Sequence, residues 1–292
     1  MKPAPFDYLR VHSIDEAIAA LADHDDAVIL AGGQSLVPML NFRLASPSLL
    51  IDINHISELA RIDVTPNGLT LGALVRWHEL ESSTAVARHN PLLQCAVHHI
   101  AHYQIRNRGT VGGSSAHADP AAEFPAVALA CDAMFSLRSA RGMRTVPAAE
   151  FFRGALETAL EPGEMLVAIQ FPAWPERRGW GFEEFARRAG DFALAGAIVL
   201  LDRDADGICA DASLVSFGAG DRALHLTRAE DCLRGSLLAV DTLVEAARIA
   251  AEDCEPKSDM HAPAEYRSAL LETLMLRALN AAAGSGHRKK VA

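Results

Sequence analysis

Apolar residues fall at helical spacing across residues 14–21, behind Ser13 and with Glu16 three residues further on, so the chain opens with a capped amphipathic helix. A wholly apolar run at residues 27–31 ends on Gly32-Gly33 and predicts a buried strand entering a tight turn. Residues 49–53 predict a second such strand. Residues 62–64 and 69–71 flank Pro66-Asn67-Gly68, a hairpin signal because Asn-Gly tolerates positive φ. Helices are expected over residues 76–81 and 92–103, whereas residues 106–115 hold too few apolar positions for a core element and predict a loop.

Beyond that loop the pattern predicts a helix at residues 120–130, paired strands at 133–138 and 143–147, and a strand at 165–171. Pro172-Ala173-Trp174-Pro175-Glu176-Arg177-Arg178-Gly179 joins two prolines to charge and marks a domain boundary. Alternation at residues 181–188, 193–201 and 208–217 predicts three antiparallel strands, followed by helices at 237–252 and 264–283 and a polar tail. The reading is a domain at residues 1–176, with subdomains of about 1–56 and 57–176, then a domain at 177–284 and a tail at 285–292.

Composition narrows the function. With 50% hydrophobic and 22% charged residues the chain folds, and with 27 Lys+Arg against 37 Asp+Glu it offers nucleic acid no basic footprint. No apolar run is long enough to predict a membrane span. Cys95, Cys131, Cys209, Cys232 and Cys254 are scattered singly, which fits the reduced thiols of a cytoplasm and excludes an iron–sulfur cluster on this chain.

Two stretches carry candidate chemistry. Ala31-Gly32-Gly33-Gln34-Ser35 and Thr110-Val111-Gly112-Gly113-Ser114 each pair adjacent glycines with hydroxyls, the composition of a backbone nest that grips phosphate without cationic side chains. One such pair alone reads first as an ordinary strand-ending turn; two suit a pyrophosphate. Neither matches GxGxxG or a P-loop, and Gly218-Ala219-Gly220 reads as a strand exit. His98 and His102, four apart on the expected helix with His99 beside them, have a chelating spacing but no third ligand, so no metal site is assigned. His117-Ala118-Asp119 lacks a nucleophile, and Arg288-Lys289-Lys290 belongs to the solvated tail.

Ala31 through Pro38, Gln104 through Gly113 and His117 through Ala126, in that order, resemble the FAD-binding medium subunit of molybdenum hydroxylases, the family of the carbon monoxide dehydrogenase flavoprotein and the xanthine dehydrogenase FAD domain. Phe6-Asp7-Tyr8, Arg187-Arg188-Ala189-Gly190-Asp191-Phe192-Ala193 and Arg228-Ala229-Glu230 extend the similarity over residues 3–284. The resemblance implies an α+β fold: a two-subdomain FAD-binding domain of the PCMH type, then a C-terminal α+β domain with a three-stranded antiparallel sheet and helices. It places Ala31, Gly32, Gly33, Gln34, Ser35 and Leu36, with Thr110, Val111, Gly112, Gly113 and Ser114, on the FAD phosphates and ribityl chain. Ala118, Asp119 and the carboxylate of Glu123 fall near the cofactor, Ile100 and Leu166 on the adenine side, and Asp191 with Phe192 by the isoalloxazine. Gln34 stands where related proteins with covalent flavin have histidine, so noncovalent FAD is expected.

By the same resemblance the chain is the electron-transfer subunit of a heterotrimer. A large subunit oxidises substrate at the molybdenum cofactor, and a small subunit relays electrons through [2Fe–2S] clusters to this FAD and on to an external acceptor. No residue here is then catalytic on the organic substrate. The alternatives are a self-contained flavin oxidase, which needs a base beside its flavin, and a nonenzymatic FAD-binding regulator.

Overall fold

The computed structural model describes residues 2–284. The expected tail at 285–292, including Arg288-Lys289-Lys290, lies outside the described residues.

The first layer is β1 (Asp7–Arg10), α1 (Ile14–Asp23), β2 (Val28–Leu30), α2 (Leu36–Phe42) and β3 (Leu49–Asp52). Ser13 caps α1 as predicted, accepting from the Glu16 amide at 3.2 Å. The strands form a parallel sheet in the order β1-β3-β2, so β3 is fully buried and β2 is an edge. The expectation of a buried strand at residues 27–31 is therefore corrected: β2 is half-buried. Helix α2 escaped the pattern because Pro38 sits inside it; in the first turn its missing N–H leaves no hydrogen bond unmade.

The second layer opens with the predicted hairpin, β4 (Ile62–Thr65) and β5 (Gly68–Gly72), then the helices α3 (Trp77–Ser82), α4 (Thr84–His89), α5 (Pro91–Val97), α6 (Tyr103–Arg106), α7 (Val111–His117) and α8 (Glu123–Ala130). It continues through β6 (Met134–Ser139), β7 (Gly142–Pro147), α9 (Ala148–Phe151), the small ribbon β8 (Phe152–Gly154) and β9 (Glu157–Thr158), and β10 (Met165–Pro172). The main sheet runs β4-β5-β10-β6-β7, antiparallel throughout. Its core holds Phe124, Phe135, Phe151 and Phe171, and the ring of Phe135 stacks on that of Phe151 at 4.1 Å.

Two expectations fail in this layer. The helix expected at 92–103 ends at Val97; Ala101 takes φ 43°, and Arg106 Nη1 donates to the carbonyls of Ile100 and Ala101, both at 3.1 Å, fixing the reversal. His98 and His102 therefore share no helix face. The loop expected at 106–115 is partly helix, with Thr110 as the cap of α7 and Val111 and Ser115 buried. Apolar counting missed it because Gly112 packs through its backbone: its amide donates to the Ala73 carbonyl at 2.9 Å.

The last layer is β11 (Gly179–Phe185), β12 (Ala195–Arg203), β13 (Cys209–Phe217) and β14 (Leu224–His225), with α10 (Thr227–Leu233), α11 (Val240–Asp253) and α12 (Ala264–Ala283). The three expected strands pair antiparallel as β11-β12-β13, and the two residues of β14 extend them. Helices α12 and α10 pack against one face and α11 packs on both of them, with Leu271, Met275, Ala278 and Leu279 fully enclosed. The other face of this sheet carries Ile198, Val215 and Phe217 into the core of the second layer.

Candidate functional site

The edge strand β2 delivers the chain to Gly32 at the rim of a cavity of about 570 Å³. Gly33 has φ 73°, which turns the loop before α2 begins. The amides of Gly33, Gln34, Ser35 and Leu36 donate to no acceptor among the described residues, so they stand ready for an external anion. Gln34 folds back, its Nε2 donating to the Gly32 carbonyl at 3.0 Å.

A brace unseen in the sequence holds this loop. Asn54 Nδ2 donates to the Ala31 carbonyl at 2.8 Å and to Asp52 Oδ1 at 2.7 Å, and the Tyr8 hydroxyl donates to the other Asp52 oxygen. Burial pushes the Asp52 carboxyl up, but hydrogen bonds from Tyr8 and Asn54 outweigh it and hold the group below its ordinary range. Asn54→Ala should free the Ala31 carbonyl and weaken FAD binding by about 1–2 kcal/mol, roughly fivefold to thirtyfold. FAD titration of the apo chain measures this, and an unchanged affinity would show that the brace does not shape the loop.

The second glycine pair works differently. The Gly113 amide donates to Thr110 Oγ1 at 3.1 Å and the Ser114 amide to the Thr110 carbonyl at 3.0 Å, so these N–H groups are already engaged. Neither Gly112 nor Gly113 has positive φ. A Cβ on Gly112 would stand 2.6 Å from the Cβ and the carbonyl oxygen of Ala73, whereas one on Gly113 would meet only Thr110 Oγ1 at 2.9 Å and Ala31 Cβ at 4.0 Å. Gly112 thus lets two backbones touch, and any side chain at Gly113 would have to displace the capping Thr110 hydroxyl.

Of the residues expected at the cofactor, Ala31, Gly32, Gly33, Gln34, Ser35, Leu36, Ile100, Thr110, Gly112, Gly113, Ser114, Asp119, Glu123, Leu166, Asp191 and Phe192 all line this cavity. Val111 and Ala118 do not line it; both are buried behind it, Ala118 as the left-handed cap of α7. Sequence reasoning missed Val28, Ile29, Trp77, Leu160 and Met165, apolar wall residues that core packing and ligand packing would select alike. It also missed Glu164 as a wall residue. The Arg144 guanidinium, 2.7 Å away through two hydrogen bonds, holds that carboxyl below its usual range. Burial pushes Glu123 up to about 7, with the charge of Asp119 adding to it.

No lysine or arginine lines the cavity among the described residues. Free amides and hydroxyls at one side, apolar walls at the other and a mouth at the two-thirds-exposed Phe192 suit a long, phosphate-containing aromatic dinucleotide. His117 lines the cavity, whereas His98, His99 and His102 do not: His98 Nδ1 is 3.3 Å from Glu81 Oε1, His99 faces Glu184, and His102 precedes α6.

The chain matches two family models, the FAD binding domain in molybdopterin dehydrogenase over residues 4–174 and the CO dehydrogenase flavoprotein C-terminal domain over residues 180–282. It is 42% identical over 280 residues to the 6-hydroxypseudooxynicotine dehydrogenase complex subunit alpha of Paenarthrobacter nicotinovorans, covering 96% of this chain and 95% of that protein. It is 38% identical to the carbon monoxide dehydrogenase medium chain of Hydrogenophaga pseudoflava, over 97% of this chain and 98% of that one. Among solved structures, quinoline 2-oxidoreductase from Pseudomonas putida 86 superposes with a TM-score of 0.93 at 40% identity, covering 97% and 98% of the two chains. No helix among the described residues is long and apolar enough to cross a membrane. A cavity with anion-ready amides, on a chain that these two models match over residues 4–174 and 180–282, makes this an oxidoreductase subunit of the molybdopterin dehydrogenase flavoprotein family, and its cofactor is FAD.

Proposed function

We propose that this chain is the medium subunit of a cytoplasmic heterotrimeric molybdenum hydroxylase, receiving electrons from the [2Fe–2S] clusters of a small subunit and passing them to an external acceptor. The large subunit would hold the molybdenum cofactor and the organic substrate. The observation that carries this reading is the cavity wall, which offers anion-binding amides at Gly33 to Leu36 beside the hydroxyls of Ser35, Thr110 and Ser114. Relatives named as a dehydrogenase complex subunit and as a medium chain, matched over nearly their whole length, support the assembly.

The residues divide the work between grip and orientation. Amides of the first loop, with Ser35, would hold the phosphates, while Thr110 and Ser114 would add hydroxyls from across the gap. Ile100, Met165 and Leu166 would exclude water from the adenine, and Asp191 with Phe192 would close on the other end from the C-terminal domain. Bound FAD supplies exchange of single electrons with a cluster and of one or two with an acceptor. Gln34 has no ring nitrogen to form a covalent bond, and its amide is occupied with Gly32, so the flavin is held noncovalently.

Expression with its coexpressed partners tests the assembly. We expect one FAD per chain, released intact by acid, together with molybdenum and iron on the partner chains. Flavin migrating with the denatured polypeptide would overturn noncovalent binding. Turnover of an organic substrate by the lone chain would favour a self-contained oxidase, and bound FAD that no reductant can reach would favour a regulator.

A further inference from the structure

Arg267, on α12, is only 4% exposed, although a guanidinium taken out of water costs stability unless its donors find partners. Its Nη1 donates to the Leu194 carbonyl at 2.6 Å and to the Gly218 carbonyl at 2.8 Å, and its Nη2 donates to Asp259 Oδ2 at 2.7 Å. Both carbonyls belong to turns that lead to the flavin cavity. Leu194 ends the turn between β11 and β12, in which Gly190, Asp191 and Phe192 line the cavity. Gly218 follows β13, and its amide donates at 2.9 Å to the carbonyl of Pro120, in the loop between the lining residues Asp119 and Glu123.

The two turns also touch each other and the second layer. Gly218 takes φ 76°, and a Cβ there would stand 2.9 Å from the Ala193 carbonyl oxygen. Gly190 takes φ 83°, and a Cβ there would collide with the His102 ring and stand 2.9 Å from the Ala101 carbonyl oxygen. An unbroken series of hydrogen bonds thus runs from Asp259 through Arg267 to two separate segments of the cavity wall. Arg267, Asp259, Leu194 and Gly218 do not line the cavity, so any effect they have on a cofactor is transmitted by those segments.

We infer that Arg267 is a positioning residue for the flavin: it locks the turn bearing Asp191 and Phe192 to the loop bearing Asp119 and Glu123, so that the C-terminal side of the cavity is in place before FAD arrives. The inference rests on the proposed FAD site. Packing of α12 alone does not call for this residue, since apolar side chains in place of a buried ion pair are often neutral or stabilising. Arg267 Nε, moreover, has no hydrogen-bond partner among the described residues, which adds to the cost. What arginine supplies, and an apolar side chain does not, is a planar fork that fixes two carbonyls and a carboxylate at set angles. A cofactor that meets a turn already ordered binds more tightly than one that must order it.

The test compares Arg267→Met and Arg267→Lys with Arg203→Met in the full chain. Arg203 also donates to carbonyls of α12, those of Ala282 and Ala283, but at the opposite ends of β12 and α12, so it controls for loss of a structural arginine. The first readout is amide hydrogen exchange without FAD. In Arg267→Met, exchange at Leu194 and Gly218 should speed by about tenfold to a hundredfold, the fold-change of one charge-assisted hydrogen bond, while Arg203→Met keeps the wild-type rates there. The second readout is FAD itself. Affinity in Arg267→Met should fall roughly fivefold to a hundredfold, because Asp191 and Phe192 must then be ordered on binding, and the visible circular dichroism of the flavin at saturating FAD should change shape. Arg267→Lys, which keeps the charge and can meet one carbonyl, should recover part of both. Exchange that is unchanged at Leu194 and Gly218, or raised equally along the whole chain, would overturn the clamp. Faster exchange at these turns with unaltered affinity and dichroism would remove the clamp from the flavin site. Should Arg267→Met fail to fold, Asp259→Asn, at a side chain 48% exposed, must still loosen the same two turns, and wild-type exchange in that variant refutes the inference. A wild-type chain that binds no FAD would instead overturn the FAD site, whatever the exchange rates.

Discussion

A Gly32→Val chain should lose its flavin and much of its stability together. A Cβ on Gly32 would fall deep inside van der Waals contact with the Arg108 carbonyl oxygen, and 2.9 Å from both the Arg108 carbonyl carbon and Gly109 Cα. All three obstacles are backbone, so no rotamer change relieves the clash, and the loop before α2 must part from the loop before α7. Forced overpacking of this kind costs about 1–3 kcal/mol of fold stability. The same displacement moves the free amides of Gly33 to Leu36 away from their phosphate, and each charge-assisted bond lost is about 1.5–3 kcal/mol. Two lost bonds amount to roughly two to four powers of ten in FAD affinity. Gly33→Ala should do less: at φ 73° it carries roughly 1–2 kcal/mol of strain, and its Cβ neighbours are the side-chain ends of Val37 and Leu30 at 3.2 and 3.3 Å. Gly113→Ala carries no φ strain but must push the Thr110 hydroxyl out of its cap of α7, so it should also weaken FAD binding less than Gly32→Val, and Gly163→Ala, in an open turn at φ 76°, should leave FAD binding intact. Isothermal titration with FAD and thermal unfolding of the apo forms rank the four variants. A Gly32→Val chain that binds within tenfold of wild type would refute the tight approach of the two loops.

That ranking could not have been drawn from the sequence, where the two glycine pairs look interchangeable. Spacing and composition identify Gly32-Gly33 and Gly112-Gly113 as the special points, because adjacent glycines beside hydroxyls are rare outside turns and nests. What they do not reveal is which N–H groups stay free, since the acceptors that occupy the second pair, Ala73 O and Thr110 Oγ1, are set by tertiary packing. Strand β12 was legible as a strand but not by the alternation expected of it: one face meets helices and the other meets the second layer, so it is a continuous apolar run, while β11 and β13 mix buried positions with half-buried and exposed ones. Short elements such as β1 and β14 were not: their residues are exposed or half-buried and carry no apolar period, and each exists because a neighbouring strand offers it hydrogen bonds. Asn54, at the site, and Glu184, on β11, illustrate the same limit. Each is an unremarked polar residue in sequence, and each matters through what lies beyond it, the Ala31 carbonyl for one and a buried void of partners for the other.

The apo chain should be most stable near pH 5 and weaken steadily as the solution becomes mildly alkaline. Glu123 and Glu184 bind their protons more tightly folded, near 7 and 8, than as unfolded carboxyls with an ordinary value of 4.5. Between those limits the native state holds more protons than the unfolded chain, so stability falls as pH rises from about 4.5 through 8. His225 acts in the same direction: burial opposes its charge, but the hydrogen bond to Glu230 outweighs it and raises the group, so its contribution is also lost on the alkaline side. The opposite limb comes from Glu164, held down by Arg144, and from Asp52, whose contributions disappear as pH drops below the ordinary carboxylate range. Every tenfold increase in proton affinity on folding corresponds to about 1.4 kcal/mol, so water penetration would have to erase most of the Glu184 effect to bring it below about 2 kcal/mol. Glu184→Gln keeps the shape of the protonated side chain without its proton to lose. At pH 9 that variant should therefore be more stable than wild type by about 2–4 kcal/mol, while at pH 5 the two should nearly coincide. Denaturant melts of the apo proteins at the two pH values measure the difference directly. Equal stabilities at pH 9 would mean that Glu184 is already ionised in the native state, and that its buried oxygen finds a compensating partner when it loses the proton.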